Sequence, residues 1–261
     1  PAGPDELGPP DLNAFLSAPD WVRLGALKEA DGGWIPLAEV ILIAPVEPRQ
    51  VLQTGANYRQ HVIELVAAGL TQNTDRTPEQ ARDFAGEMMD ERKANGEPYF
   101  FIGLPACVVG DDVPLTLPGY SDVHDWELEL AVVIGREAFR VSREDALHHV
   151  AGYTIVNDVT TRDLVFRKDM KEIGTDWYRS KNAPGFLPTG PFLVPAPFVD
   201  GADLNVRLEL NGVVMQDAST SDLLFDIPAL ISGASQTMPL LPGDVLLTGS
   251  PAGNGQHWKR F

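Results

Sequence analysis

Residues 123–135, VHDWELELAVVIG, constrain this chain more than any other stretch. Their apolar content reads as a buried strand, yet Glu127 and Glu129 lie inside it. Trp126, Leu128, Leu130, Val132 and Ile134 fall on one parity; Glu127, Glu129, Ala131 and Val133 fall on the other. Strand side chains alternate faces, so the two carboxylates point the same way. Like charges on one face repel unless a cation sits between them or water bathes the face. The stretch is therefore a half-exposed strand with an acidic solvent face or part of a cation site, and alternation alone does not choose.

The rest of the composition narrows the setting. A chain of 261 residues has room for one large domain, or one with a smaller N-terminal piece. The 24 glycines and 22 prolines imply many turns, hence strands rather than a helical bundle. A formal net charge of -17 argues against nucleic acid and against an anionic membrane surface as partners. An anionic substrate would then need a local reversal of field, which a divalent cation supplies. The single Cys107 excludes an intramolecular disulfide and fits a reducing, cytoplasmic compartment. No apolar run approaches membrane-spanning length, and the first residues do not read as a signal peptide. The chain begins at Pro1 rather than Met, as a processed or trimmed chain would.

Along the chain, residues 1–10 read as loosely ordered, and 21–28 and 34–40 flank a hairpin turn at Asp31-Gly32-Gly33, suggesting a small N-terminal unit over 1–50. Residues 51–54 read as a short buried strand, followed by a turn at Gly55 and a short helix over 57–65. On that helix His61 and Glu64 share a face; a carboxylate there would fix the imidazole tautomer and raise its basicity, and the same spacing also suits a surface pair without function. Residues 69–96 are polar and helical, with Thr77-Pro78-Glu79 at a helix start, and form either a lid or a packed insertion. Residues 98–118 are strand-like with proline breaks. Ser142 is read as the N-cap of a helix over 143–150 that ends at Gly152; His148 and His149, adjacent on it, do not share a face and make no metal pair. Residues 153–158 are a second apolar strand ending on Asp158, a position typical of a ligand or of a turn. Residues 180–191 form a Pro/Gly loop around Lys181. A hairpin crosses Asn211-Gly212, an amphipathic helix follows from Asp222 or Asp226, and 243–255 is a strand running into a Gly-rich turn whose N–H groups suit an oxyanion.

In order, GANYRQH…E, DWELELAVVIG, GYTIVNDVTTRDL, K…PTGPFLV, LNGVVMQDASTSDLLFDIPALI and LPGDVLLTGSPAGNG resemble the fumarylacetoacetate hydrolase superfamily, from about Gln53 to Gly255. The resemblance implies an α+β, mainly β fold. A mixed β-sandwich roll over 51–261 follows a small N-terminal domain over 1–50, with 69–96 as the insertion. It implies Glu127, Glu129 and Asp158 as metal ligands, an all-oxygen set that suits Mg²⁺, Mn²⁺ or Ca²⁺ rather than Zn²⁺. It implies His61, Glu64 and Lys181 as catalytic residues, and Tyr58, Arg162, Thr248 and Gly249 around the substrate. The activity implied is hydrolysis of a C–C bond in an acylpyruvate or related β-dicarbonyl acid by a homodimer, in the catabolism of aromatic or cyclic compounds. A decarboxylase, hydratase or keto–enol isomerase on the same scaffold is the alternative, and a non-catalytic metal- or ligand-binding protein the third reading. The chain departs from the family at Ala56, where Arg is frequent, at Ile102 or Gly103, near a frequent Lys, and at Val165, where Gln is common; together these suggest a less polar substrate tail. Family chains usually continue past Phe261 for one or two strands.

Overall fold

The computed structural model describes residues 12–26 and 34–255. In chain order the elements are helices α1 (Leu12–Leu16) and α2 (Trp21–Ala26), strand β1 (Val51–Gly55), helices α3 (Arg59–Asn73) and α4 (Pro78–Asn95), strands β2 (Tyr99–Gly103), β3 (Val108–Gly110), β4 (His124–Asp125), β5 (Leu128–Ile134), β6 (Val150–Asn157) and β7 (Thr160–Thr161), helix α5 (Trp177–Lys181), strands β8 (Leu187–Thr189), β9 (Val194–Pro195), β10 (Asn205–Leu210) and β11 (Val213–Ser219), helix α6 (Ile227–Thr237) and strand β12 (Val245–Leu247). Eight strands form one mixed sheet in the order β2-β1-β12-β5-β6-β8-β3, with β9 also paired to β6; β10–β11 and β4–β7 are separate two-stranded ladders. The mainly β, α+β architecture agrees with the fold class expected from sequence.

β5 is central, and every one of its residues is buried. Alternation still sorts its side chains. Leu128, Leu130, Val132 and Ile134 join a core roofed by α3, α4 and α6 through Val62, Ile63, Met89, Leu230 and Ile231. Ala131 and Val133 enter a second core, on the other face, with Val51, Val156, Val245 and Leu247. The half-exposed strand with a solvated acidic face is therefore excluded, because both faces of β5 are covered. Leu16 and Val46 belong to that second core, so the described part of residues 1–50 packs directly on the sheet.

Several local expectations need correction. Trp21–Ala26 is helical and Leu37–Glu39 is a 3₁₀ turn, not the arms of a hairpin; the Asp31-Gly32-Gly33 turn and residues 1–10 lie outside the described residues. The helix over 143–150 shrinks to a 3₁₀ turn at Ala146–His149. Ser142 Oγ still accepts the Asp145 N–H at 3.2 Å, but Val150 pairs with Ile134 and starts β6. Gly152 is not a helix terminator; it lies within β6, where a Cβ would fall 2.3 Å from the Val194 carbonyl oxygen of β9. Tertiary pairing thus overrides the local helical signal. Likewise the loop expected over 180–191 begins inside α5 and contains β8, which pairs parallel with β3. α6 starts at Asp226, whose side chain accepts the Ala229 N–H at 2.9 Å, rather than at Asp222.

Residues 69–96 form the end of α3 and all of α4. Thr77 and Gln80 make a reciprocal capping box at the start of α4. Ala85 and Met89 of α4 reach the first core, and Arg92 donates to the Ala56 carbonyl oxygen at 2.9 Å. The segment is therefore a helical hairpin seated on the sheet. Among the described residues no helix is long and apolar enough to cross a membrane.

Candidate metal centre

Glu127 lies just before β5, Glu129 inside it, and Asp158 just past the end of β6, its antiparallel neighbour. The two chains are locked where the acids emerge. The Asp158 N–H donates to the Glu127 carbonyl oxygen at 2.8 Å, and the Glu127 N–H donates to Asn157 Oδ1 at 2.9 Å. One ligand oxygen from each of Glu127, Glu129 and Asp158 lies within 4.8 Å of the others. Glu129 and Asp158 are fully buried; the Glu127 side chain is 14% exposed, so it marks the open side.

Two cations are built in. Lys181 Nζ donates to Glu127 Oε2 at 2.8 Å, to Thr160 Oγ1 at 2.7 Å and to Asp158 Oδ2. Its ammonium lies 5.7 Å from the Phe101 ring centre and 5.9 Å from that of Trp177, which stack on each other at 4.6 Å. Arg162 Nε donates to Asp125 Oδ2 at 2.5 Å, and its terminal nitrogen lies 2.6 Å from Glu127 Oε1. Asp125 is further held by the Gly255 N–H. Four carboxylates thus meet two cations, leaving two negative charges in excess. A dication balances that charge, and three carboxylates form a hard oxygen donor set. The residues present fit a divalent ion.

The imbalance shows in the acidities. Burial alone would raise the Glu127 carboxyl, but Arg162 and Lys181 outweigh it and bring it down to about 2. Burial, then the Glu127 charge, pushes Asp158 up to about 6 against the pull of Lys181. Burial, then the charge of Asp158, holds Glu129 well above the usual carboxylate range. Burial opposes the Lys181 ammonium, yet Asp158, Glu127 and Glu129 keep it charged. An ion needs Glu129 and Asp158 as carboxylates, so it competes with protons for both. We expect divalent-ion affinity to fall as pH drops through about 6, where Asp158 takes up its proton. Calorimetry in two buffers of different ionisation enthalpy should register the released protons; an affinity flat with pH would contradict these acidities.

The structure places the other expected residues as follows. Gly249, at φ 99°, adopts a backbone conformation that favours glycine, and its N–H donates to Glu129 Oε2 at 2.6 Å. The Thr248 hydroxyl donates to the Leu130 carbonyl oxygen at 2.9 Å and is fully buried. Thr248 and Gly249 direct these donors at β5, and Gly255 directs its own at Asp125. Asn57, next to Gly249, clamps Phe225 and the Thr248 carbonyl oxygen with three hydrogen bonds of 2.9–3.0 Å. That clamp sets the start of α3. Tyr58 follows, buried, its hydroxyl without a hydrogen-bond partner among the described residues and pushed up by burial and by the charge of Glu129. His61 and Glu64 come within the next two turns of α3; Glu64 Oε1 accepts from Gln60 at 2.9 Å.

Asp125, Thr160, Asn157 and Gln53 were missed as site residues. Gln53 donates to Asp158 Oδ1. Its signal was an amide inside an otherwise apolar run, VLQTG.

Residues 50–261 match the fumarylacetoacetate (FAA) hydrolase C-terminal family. The chain belongs to the fumarylacetoacetate hydrolase family. Its relatives in that family catalyse more than one reaction. It is 34% identical to a 2,4-didehydro-3-deoxy-L-rhamnonate hydrolase of Sphingomonas sp., over 95% of this chain and 78% of that one. It is 34% identical to the mitochondrial oxaloacetate tautomerase fahd2 of Xenopus laevis, over 84% of this chain and 60% of that one. Its fold matches a crystal structure of 5-carboxymethyl-2-hydroxymuconate delta-isomerase from Mycobacterium smegmatis, with a TM-score of 0.66 and 36% identity, over 85% of this chain and 73% of that one. Hydrolase and isomerase chemistry thus both occur on this scaffold.

Proposed function

We propose that the chain is a divalent-metal-dependent hydrolase that cleaves a C–C bond in an acylpyruvate or related β-dicarbonyl acid, in the breakdown of aromatic or cyclic compounds. The observation that carries it is the buried three-carboxylate cluster, which together with Asp125 leaves two negative charges in excess of Lys181 and Arg162. Glu127, Glu129 and Asp158 would hold Mg²⁺, with Mn²⁺ or Ca²⁺ as substitutes. Bound there, the ion supplies Lewis-acid polarisation of a 2-oxo acid. It also offsets the acidic field that would otherwise repel an anionic substrate.

The chain's own residues do the rest. His61, one turn before Glu64 on α3, takes a proton from water as the water oxygen adds to C4 of the substrate. The C3–C4 bond then breaks, its electron pair passes to C3 as an enolate, and a proton restores the methyl of pyruvate while C4 leaves as a carboxylic acid. Lys181 holds the negative charge that develops on the enolate oxygen. Arg162, bound to both Asp125 and Glu127, keeps Glu127 in place.

His61→Ala should keep metal binding and lose about 10²–10⁴-fold in turnover. Loss of metal from this variant would contradict the role given to His61.

The second reading is a keto–enol isomerase, favoured by the likeness to the tautomerase and the delta-isomerase. It uses the same site, with His61 moving a proton to or from C3 instead of activating water. Product analysis on acylpyruvates, oxaloacetate and 2-hydroxydienoates with Mg²⁺ separates the two. Equimolar pyruvate and carboxylic acid are expected; keto–enol interconversion without pyruvate overturns the hydrolase. The buried Val165 and exposed Ile102 suit a less polar tail, a reading that turnover of oxaloacetate far above any acylpyruvate would sink. A cytoplasmic homodimer completes the proposal; light scattering should return twice the chain mass.

A further inference from the structure

Gln53 sits in the middle of β1, 1% exposed. Val51, two residues before Gln53 on β1, pairs with Val245 of β12, and Val245 with Val133 of β5. Gln53 therefore lies on the sheet face that carries Ala131, Val133 and Glu129. Val51, Ala131, Val133, Val245 and Leu247 of that face belong to the second core, and the buried Phe101 lies opposite Gln53 on β2. An amide there gives up its water, and among the described residues Gln53 Oε1 is buried without a hydrogen-bond partner. A leucine or methionine would fill the same space without that cost. What the amide does gain is one bond: Nε2 donates to Asp158 Oδ1, 105 residues away. Asp158 Oδ2 is taken by Lys181, so a neutral donor holds one oxygen and a cation the other.

Gly103 supports the arrangement independently. A Cβ at Gly103 would fall 3.2 Å from both Cδ and Oε1 of Gln53 and 3.0 Å from Val51 Cγ1. Absence of a side chain on β2 thus keeps open the space in which the amide lies.

We propose that Gln53 is a positioning residue for Asp158, holding one carboxylate oxygen so that the group presents a single orientation to Lys181 and the cation site. This rests on the metal-centre reading above. A donor behind a ligating carboxylate removes its freedom to rotate, and losing such a partner typically weakens metal binding about 10–100-fold.

The test is Mn²⁺ titration of the full chain, followed by calorimetry and by the electron paramagnetic resonance signal of free Mn²⁺. It compares the unsubstituted protein with Gln53→Met, which keeps volume and flexibility, and Gly103→Ala, which pushes on the amide from outside. Gln53→Met should bind Mn²⁺ about 10–100-fold more weakly, while its EDTA-treated form melts no lower than the unsubstituted protein. Gly103→Ala should shift affinity the same way and carries the test if Gln53→Met fails to fold. Unchanged Mn²⁺ affinity in Gln53→Met overturns the proposal and leaves Gln53 a core residue only. Failure of the unsubstituted protein to bind Mn²⁺ is a different result: it removes the metal centre itself, and the role of Gln53 with it.

Discussion

Glu129→Gln is expected to abolish metal-supported turnover and, in the same protein, to raise the melting temperature of the metal-free form. Both effects have one cause. Glu129 is 2% exposed, and burial followed by the charge of Asp158 holds its carboxyl well above the usual range. Its folded-state pKa therefore lies above the unfolded one. The folded chain binds the proton more tightly than the unfolded chain, so ionising Glu129 at neutral or alkaline pH costs stability, and the cost disappears as pH falls below the unfolded value of about 4.3. Glutamine removes the charge at every pH while its amide oxygen still accepts the Gly249 N–H. The metal, however, loses a ligand, and the expected fall in affinity exceeds the roughly 10–100-fold typical of an outer partner. Thermal melts with EDTA and with Mg²⁺ read both effects. A Glu129→Gln variant that melts lower without metal and still gains from Mg²⁺ would contradict the charge imbalance from which the centre was inferred. Asp158→Asn should likewise abolish metal-dependent activity.

Lys181→Met should show the opposite pattern without metal. The ammonium is 2% exposed and bonded to Glu127, Asp158 and Thr160. Removing one partner from a buried ion cluster leaves uncompensated charge and costs about 3–5 kcal/mol, roughly 10 °C of melting temperature at two to four degrees per kcal/mol. Mg²⁺ at about a hundred times its dissociation constant stabilises either protein by about 2.7 kcal/mol; the variant's cluster carries one more unmatched negative charge and should bind the ion more tightly, so at equal Mg²⁺ the gap to the unsubstituted protein should narrow. Turnover should stay down by about 10²–10³-fold, the size of a lost oxyanion donor. Equal melting temperatures of the two proteins in EDTA would show that Lys181 does not hold the carboxylates together.

The two variants separate the roles of neighbours that are chemically alike on paper. Glu127 and Glu129 are two residues apart on one strand face. Arg162 and Lys181 bring Glu127 down to about 2, whereas Glu129, bonded to a backbone N–H, stays high. Only the former is positioned to stay charged without an added ion.

Much of this was legible in the sequence. The alternation in 126–134 is the parity seen in β5, and the acids at 127, 129 and 158, which the family resemblance grouped, do meet because β5 and β6 are antiparallel neighbours. The capped start of α4 was readable from Thr77-Pro78-Glu79, because caps are made by neighbours in the chain. The helix over 143–150 was not, since its residues carry a local signal that pairing between Ile134 and Val150 overrules. The hydrogen bonds from Thr248 and Gly249 to β5 were not legible either, since their partners lie 118 and 120 residues away, beyond the reach of any local pattern.

By itself the sequence determined the chain's family motifs, the three acids and the side of the strand on which two of them lie. These depend on residue type and on a period of two, which are properties of a short segment. Only the tertiary structure decided that the face is dry, that Lys181 and Arg162 leave two negative charges unmatched, and that Gln53 of β1 reaches Asp158 beyond β6. Burial, net local charge and hydrogen bonds across more than a hundred residues depend on which strands become neighbours. That choice is made by packing two cores on opposite faces of one sheet.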